Sequence, residues 1–388
     1  MSNRPPKGSA PASITTHFAD LPEPRVARTR RHELLDVITI AILAVICGAN
    51  GWDEMEVFGR ARLPWLRTFL RLEYGAPSDD TFRRVFSALD PKAFARCFAS
   101  WMSAIAGSMV GKQLAVDGKT LRGSFDTAEG LSPIHMVHAW VADSSVLLGQ
   151  LVTDAKSNEI TAIPQLLALL DLRGALVSID AMGCQTAIAS ATVARGGDYL
   201  LALKDNQPRT HQEVSEFFDH AIGSPDTRCV EASDKGHGRL ESRRVHVSDD
   251  IGWFEDRTRW PGLKSFVAVE RERILDGKIT FERAEFLCSL PSSEIERIAK
   301  AARGHWSVEN GLHWSLDMTF REDASRIRDR NGAANFAVLR RLALVLVRRE
   351  KTPRQSGPSK RLRAALDPDY LLRVLESAAP EKSGEKIR

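Results

Sequence analysis

Gln113-Leu-Ala-Val-Asp117-Gly-Lys-Thr-Leu-Arg-Gly-Ser124 and Ala175-Leu-Val-Ser-Ile-Asp180 decide the fold of this chain. Each is a short apolar run, rich in β-branched residues, that leads into an aspartate and is bounded by glycine. This pattern predicts a buried strand with a carboxylate near its end. Such a carboxylate costs desolvation energy unless it is paired or bound to a cation. A single one is often a helix cap or a partner of arginine, but two of them, with a glutamate on a late helix, predict a metal site.

The segments around these two runs predict the order of the sheet. Strands are expected at Gln113–Asp117, Ile134–Val141, Val146–Thr153, Ala175–Asp180 and Asp198–Leu203, with helices at Asn158–Leu170 and Gln185–Arg195. The order βββαβαβ predicts an antiparallel meander followed by parallel strands that right-handed crossovers add. This is the order of a ribonuclease-H-like α/β fold with a mixed sheet. Because its first and fourth strands lie side by side, Asp117 and Asp180 are expected to be neighbours.

Composition divides the rest of the chain into segments. We expect a disordered basic tail at 1–30, a helical N-terminal domain at 31–108, a catalytic core at 109–207 and 289–349, a β-rich insertion at 208–288, and a charged C-terminal tail at 350–388. The helical domain is a candidate for DNA binding because arginines cluster in and before it, and a packing or oligomerisation module is the alternative.

Bulk properties exclude several classes of protein. The chain has 388 residues, 43% of them hydrophobic, and a formal net charge of +4, which permits nucleic-acid binding without proving it. Its five cysteines form no CxxC pair, which argues against a zinc ribbon or a disulfide framework. The N-terminus is no secretory signal, and the longest apolar run, Val37–Ala49, is too short to span a bilayer. We therefore expect a cytoplasmic protein with no membrane partner.

A third informative stretch runs from Arg303 to Asp323. On a helix, one face carries Trp306, Glu309, Asn310, His313, Asp317 and Phe320, whereas Val308, Leu312, Leu316 and Thr319 form a more apolar face. The first face suits a site that grips a polar group and stacks on a flat one. The alternative is an amphipathic helix with a solvated polar face.

The three acids have the chemistry of a phosphodiester-cleaving site. Such a reaction uses two hard cations about 3.5–4 Å apart. Mg²⁺ prefers oxygen ligands and keeps several waters, so two or three carboxylates suffice, and Mn²⁺ can substitute. We expect Asp117 to bridge two ions, with Asp180 on one and Glu309 on the other. Asp317 is the alternative third ligand, and a zinc site at His305, Glu309 and His313 is disfavoured because aspartates prefer a harder ion.

Five motifs in order resemble DDE-type insertion-sequence transposases, in the branch of H-repeat-associated proteins linked to Rhs elements. They are Val116-Asp-Gly-Lys-Thr-Leu-Arg122, Ser178-Ile-Asp-Ala-Met-Gly183, Leu203-Lys-Asp-Asn-Gln207, His237-Gly-Arg-Leu-Glu-Ser-Arg243, and His305-Trp-Ser-Val-Glu-Asn with His313-Trp-Ser-Leu-Asp and Phe320-Arg-Glu-Asp. The resemblance implies that Asp117, Asp180 and Glu309 form the catalytic triad. It also implies cleavage of double-stranded DNA at element ends and transfer of the 3′-hydroxyl into target DNA.

The resemblance also suggests partners and departures. Two DNA ends must be held together, so a homodimer or larger synaptic assembly is expected, in the bacterial cytoplasm and on the nucleoid when DNA is bound. Related transposases carry Tyr, Arg and Lys around the glutamate, where this chain has Ala302, His305 and Leu316. Asp205 stands where the related pattern has glycine.

Residues near the acids are candidates for DNA contact. They are Lys119, Arg122, Lys204, Asn206, Gln207, His237, Arg239, Arg243, His305, Trp306, Asn310, His313 and Asp317. The alternatives are surface charge for the basic residues and a polar turn for residues 204–207. Trp306 and Trp314 could stack on an unpaired base, and a core or subunit contact is equally consistent with Trp314. Two rival functions stay open: a decayed or domesticated copy that binds DNA without cutting, and a plain metal-dependent nuclease.

Overall fold

A nine-stranded mixed sheet organises the computed structural model, which describes residues 10–125, 130–153, 159–236, 239–275, 278–305 and 308–377. Its strands are β1 (Gln113–Leu121), β2 (Ile134–Val141), β3 (Val146–Thr153), β4 (Leu176–Ile179), β5 (Asp198–Ala202), β6 (Thr227–Gly236), β7 (Arg239–Ser248), β8 (Ser265–Leu275) and β9 (Lys278–Cys288). Their order across the sheet is β3-β2-β1-β4-β5-β9-β8-β7-β6.

The first five strands confirm the predicted ribonuclease-H-like order. β1, β2 and β3 form an antiparallel meander, while β4 pairs in parallel with both β1 and β5. The crossover helices are α7 (Glu159–Ala168) and α8 (Thr186–Ala194). Val116 pairs with Ile179, so the next residue on each strand is one of the two aspartates. The predicted neighbourhood of Asp117 and Asp180 is thereby confirmed in the backbone register.

The β-rich insertion is continuous with this sheet. β5 pairs antiparallel with β9, and β9, β8, β7 and β6 then follow as an antiparallel meander. Sequence patterns predict strands at Arg243–Val247, Ser265–Arg271 and Ile279–Leu287, which lie within β7, β8 and β9, but they do not predict β6. This outermost strand reads Thr-Arg-Cys-Val-Glu-Ala-Ser-Asp-Lys-Gly and is exposed over residues 231–234, so it carries no apolar alternation.

Helices cover the core strands and share their hydrophobic core. They are α1 (Ala12–Phe18), α2 (Leu34–Cys47), α3 (Trp52–Ala61), α4 (Leu63–Leu66), α5 (Asp79–Ala88), α6 (Pro91–Ala106), α7, α8, α9 (Pro208–Ala221), α10 (Ile295–His305), α11 (Trp314–Met318), α12 (Arg330–Arg349), α13 (Gly357–Leu366) and α14 (Pro368–Glu376). α12 is buried from Gly332 to Val347 and packs on α2, α5, α6 and β3. The helices expected to form a separate N-terminal domain therefore pack into the same core as the sheet.

Both termini depart from the sequence prediction. Residues 1–30 were expected to be disordered, but α1 buries Ile14 and Phe18 completely, and Phe18 contacts the rings of Phe94 and Trp101. Residues 350–388 were expected to be a charged tail, but α13 and α14 pack against α2 and α12. In both places a few apolar side chains at helical spacing outweigh a polar composition. Residues 1–9 and 378–388 lie outside the described part of the chain.

The apolar run Val37–Ala49 falls mainly in α2, which is buried as predicted. Within the described ranges, no single helix has the length and apolar composition to cross a membrane. Only α2 and α3 together meet that test, and they are bent by 97°.

Candidate active site

Asp117 and Asp180 lie at one level of the sheet, on adjacent parallel strands. Asp117 is within β1, and Asp180 follows the last residue of β4. The Asp180 side chain caps a short 3₁₀ turn, because its Oδ1 accepts a hydrogen bond of 3.3 Å from the Gly183 N–H. Asp180 is exposed, so the cap orients a carboxylate that still faces solvent.

Glu309 reaches the same region from a segmented helix. The helix predicted through residues 306–316 is divided into α10, a π-helical turn at Val308–His313, and α11. Val308 and Leu312 are buried, which turns the intervening Glu309 outward. Phe320 was expected on the polar face but is buried as well. Single π-helical turns occur frequently at functional sites, since they shift the register of the side chains that follow.

The three acids line one cleft of about 560 Å³. The acidic wall of this cleft consists of Asp117, Asp180 and Glu309. The loop after β5 and the inserted strands supply a basic wall, which consists of Lys204, Arg271 and Arg283. The cleft therefore joins the core sheet to the insertion and places carboxylates beside cations.

The Asp117 carboxyl is strongly perturbed by its surroundings. Burial, together with the negative charges of Asp180, Glu159 and Glu309, raises its pKa to about 7. A hydrogen bond of 2.8 Å from the Gly118 N–H acts in the opposite direction. Crowded carboxylates of this kind favour the binding of a cation, which would relieve their repulsion.

The donor set fits a hard divalent cation. Within the described ranges, no group of three or more His, Cys, Asp or Glu side chains is close enough to hold one ion. A two-ion site needs no such group, because Mg²⁺ commonly takes one or two protein carboxylates and completes its shell with water and substrate phosphate. Asp117 lies in the same cleft as both other acids and is the residue that could contact two ions.

Lys119 and Asp317 form an ion pair with each other. Lys119 is 9% exposed, and its Nζ lies 2.8 and 2.7 Å from the two carboxylate oxygens of Asp317. Asp323 is a further neighbour at 3.8 Å. The opposite charges neutralise each other at the edge of the core, so both side chains have a protein partner here, and their DNA contacts stay predictions. The same pairing argues against Asp317 as the third metal ligand.

Two predicted DNA contacts instead bond the neighbouring loop. Asn206 donates from its amide to the Ala181 carbonyl, and Gln207 donates to the Cys184 carbonyl over 3.0 Å. These bonds tie the loop after β5 to the turn that follows Asp180. Both amides are therefore occupied by backbone partners, and Lys204 is the exposed member of this motif that lines the cleft.

The two histidines also turn inward. His313 Nδ1 lies 3.5 Å from Asp117 Oδ2, and burial lowers the pKa of His313 to about 3. His305 Nδ1 lies 3.2 Å from the Ser178 hydroxyl, and burial lowers its pKa although the charge of Asp180 opposes the shift. Neutral histidines of this kind are poor phosphate ligands. His305 nevertheless lines the cleft, and the DNA contacts of both histidines stay predictions.

The remaining candidates divide into three groups. Arg122 is 81% exposed and lies 3.5 Å from Asp323, which leaves it accessible to DNA. Arg243 is mostly buried beside Glu241 on β7. His237 and Trp306 lie outside the described residues, as do the side chains of Arg239 and Asn310.

Sequence reasoning missed several charged residues of the site. Glu159, at the start of α7, is 5% exposed, bonds His135 Nε2 and adds to the negative potential at Asp117. Its position resembles an ordinary helix start, so nothing in the sequence marks it. Arg271 and Arg283 also line the cleft and were not among the predicted site residues.

A fully buried ion pair lies behind Asp117. Arg341 Nη1 on α12 is 2.6 Å from Glu322 Oε1, and its Nε donates to His138 Nε2 over 3.0 Å. The His138 ring lies edge-on to His313, with 5.8 Å between the centroids. A chain of polar contacts thus connects α12 with the acidic wall.

Comparisons with known proteins identify the family of this chain. The family described as "Transposase DDE domain" matches residues 109–346, and the one described as "DDE_Tnp_1-associated" matches residues 15–102. "Putative transposase YncI" of Escherichia coli O157:H7 is 39% identical over 371 residues, which are 95% of each chain. "H repeat-associated putative transposase YhhI" of Escherichia coli K12 is 37% identical over 370 residues, 93% of this chain and 97% of that protein.

The chain therefore belongs to the DDE transposase family, in its H-repeat-associated branch. A shorter relative, "Inactive transposase YbfQ" of Escherichia coli K12, is 39% identical over 74 residues, which are 19% of this chain and 88% of that protein.

Proposed function

We propose that this protein cuts double-stranded DNA at the ends of an insertion sequence and joins the freed 3′-hydroxyl to target DNA. Asp117, Asp180 and Glu309 would hold Mg²⁺, or Mn²⁺ in its place, as two ions. The observation that carries the proposal is the convergence of these acids on one cleft, with the pKa of Asp117 raised by burial and by its acidic neighbours. Three like charges so arranged need a cation to share them.

The chemistry consists of two displacements at phosphorus. In cleavage, a water oxygen bonds to phosphorus, the bond to the 3′-oxygen breaks, and that oxygen leaves as a hydroxyl after taking a proton. In joining, the 3′-hydroxyl attacks a target phosphate and displaces another 3′-oxygen. Bound cations would lower the cost of negative charge on the attacking and leaving oxygens. The acidic wall positions both reactions at one place.

The basic wall would hold the DNA backbone beside the acids. Lys204 is exposed, and Arg271 and Arg283 line the same cleft. Contacts of this kind bind phosphates without reading bases. Because two ends must meet before joining, we propose a dimer or larger assembly on DNA in the bacterial cytoplasm.

The test uses purified full-length protein and the DNA that flanks its own gene, with Mg²⁺ or Mn²⁺. Strand breaks are mapped for the wild type, for Asp180→Asn, and for Asp143→Asn as a matched control. Asp143 pairs with Lys300 at 2.6 Å and does not line the cleft. We expect metal-dependent cuts at the element ends with the wild type and the control, and none with Asp180→Asn. Equal cutting by Asp180→Asn would overturn the proposed site.

A DNA-binding relic is the second candidate. Leu316 occupies the place of a lysine in related transposases and is completely buried, so no cation stands there. Binding to the ends without cuts, in wild type and Asp180→Asn alike, would favour the relic. A plain nuclease is separated by supplying a pre-cut 3′ end, because only a transposase would join it to target DNA.

A further inference from the structure

We infer that Lys119, His313 and Asp317 form a clamp that fixes the Glu309-bearing segment against β1 and so sets the position of Glu309 relative to the two aspartates. The inference rests on the proposed metal site. These three are positioning residues, since each would act through Glu309 or Asp117.

The clamp consists of two contacts between β1 and the segment that carries Glu309, namely Asp117 with His313 and Lys119 with Asp317. Asp117 and Lys119 are two residues apart, so they project from the same face of β1. His313 and Asp317 are four residues apart, one turn along their segment. Asp117 meets His313 at 3.5 Å, and Lys119 meets both oxygens of Asp317 within 2.8 Å. A step of two residues along β1 therefore matches a step of four residues along the helical segment, so both contacts form together.

Glu309 lies four residues before His313, so Glu309, His313 and Asp317 follow one another along the same side of the segment. Apolar packing of Leu312 and Leu316 holds this segment to the core, and Arg348 of α12 donates to the Ser315 hydroxyl over 2.7 Å. Apolar contacts resist separation but resist sliding weakly, because they are not directional. The Lys119–Asp317 pair is directional, with a buried ammonium and a carboxylate that is 31% exposed, so it resists sliding of the segment along its own axis.

Because the Lys119 side chain is buried, few other partners can replace Asp317 at its ammonium. The Lys119 side chain is 9% exposed, and its ammonium contacts Asp317 directly with Asp323 farther off. Loss of the Asp317 carboxylate would leave a buried cation with one distant partner, which favours a shift of the segment toward Asp323 or toward solvent. Either shift would carry Glu309 with it.

The experiment measures metal binding separately from folding and from DNA binding. Mn²⁺ affinity of the full-length protein, free of DNA, is measured by electron paramagnetic resonance, and the half-saturating Mn²⁺ concentration is measured in the cleavage assay. The variants are Asp317→Asn, Asp317→Glu, and the double variant Lys119→Met/Asp317→Leu. The double variant removes both charges, so any change in its metal affinity cannot be assigned to an unpaired buried cation. Asp143→Asn removes a Lys–Asp pair whose carboxylate is equally exposed but whose lysine is not buried, and it is the control for loss of an aspartate charge elsewhere.

We expect Asp317→Asn and the double variant to bind Mn²⁺ about tenfold more weakly, the effect typical of residues that orient metal ligands. Asp317→Glu should recover part of the loss, and Asp143→Asn should match the wild type. Wild-type Mn²⁺ affinity in Asp317→Asn and in the double variant would overturn the clamp while the proposed function stands. A wild type that neither binds Mn²⁺ nor cuts DNA would overturn the proposed function, and the clamp with it.

Discussion

The two walls of the cleft are built in different ways. The acidic wall lies on core elements, and contacts behind it are short and buried, including Lys119 with Asp317 and Arg341 with Glu322. The basic wall lies on the loop after β5 and on the inserted strands, where Lys204 is exposed and Arg271 pairs with Glu241 and Glu282 at 3.7 and 3.5 Å, although Arg283 is held by Asp219 and Glu285 at 2.7 and 2.9 Å. Phosphoryl transfer needs fixed ligands, whereas a DNA backbone needs charge that can exchange partners. This difference supports the proposal that the acidic wall holds the metal ions and that Lys204 and Arg271 of the basic wall bind DNA.

Loss of one acid should break the acidic wall alone. Glu309→Gln keeps the shape of the side chain and removes its charge, so we expect cleavage to fall about 10³-fold or more. DNA affinity, measured in Ca²⁺ by fluorescence anisotropy, should stay within about twofold of the wild type, because the basic wall is intact. Asp143→Asn serves as the control in both assays. Near-normal cleavage by Glu309→Gln would remove Glu309 from the metal site.

Lower pH should weaken metal binding by the acidic wall, while the cations of the basic wall stay charged. Burial raises the pKa of Asp117 to about 7, so the proton is bound below that pH and a metal ion must displace it. At subsaturating Mn²⁺ we expect the cleavage rate to fall by up to about tenfold per unit as pH drops from 7 to 5.5. Saturating Mn²⁺ should flatten the profile. A half-saturating Mn²⁺ concentration that does not change between pH 5.5 and 8 would contradict this competition.

A single change on the basic wall should have the smallest effect. Lys204→Ala removes an exposed cation of the cleft, and one phosphate contact should reduce DNA affinity several-fold and lower the salt-dependence slope by about one. The cleavage rate at saturating DNA should change little. Lys264→Ala is the matched control, because Lys264 is exposed and does not line the cleft. A large loss of rate at saturating DNA would place Lys204 in the chemistry instead.

The sequence predicted the fold where local pattern decides it. β1 and β4 are apolar runs, and the strand order then requires Asp117 and Asp180 to be neighbours. The same reasoning failed for β6, whose residues are polar and exposed, and for α1, where Ile14 and Phe18 are isolated among small and polar residues. In both, tertiary contacts decide the structure.

The candidate site was predicted less completely than the fold. Its acids follow from strands and a helix face, but Lys119 and Asp317 are 198 residues apart, and their pairing depends on the path of the whole chain. The sequence pattern predicted a regular helix there and did not indicate the π-helical turn before α11. Residues that seemed free to bind DNA, such as Asn206 and Gln207, proved to be bonded to backbone carbonyls, which no local pattern reveals.

The pairing of β5 with β9 has a consequence for aggregation and evolution. Without the inserted strands, β5 would present unpaired N–H and C=O groups to solvent, a template for association with other chains. The insertion transfers that vulnerable border to β6, where Arg228, Glu231 and Asp234 place charges along the rim. Excision of residues 208–288 would therefore be expected to cost solubility as well as the proposed DNA-binding surface. This protective role alone would favour retention of the insertion in a copy that no longer cuts DNA.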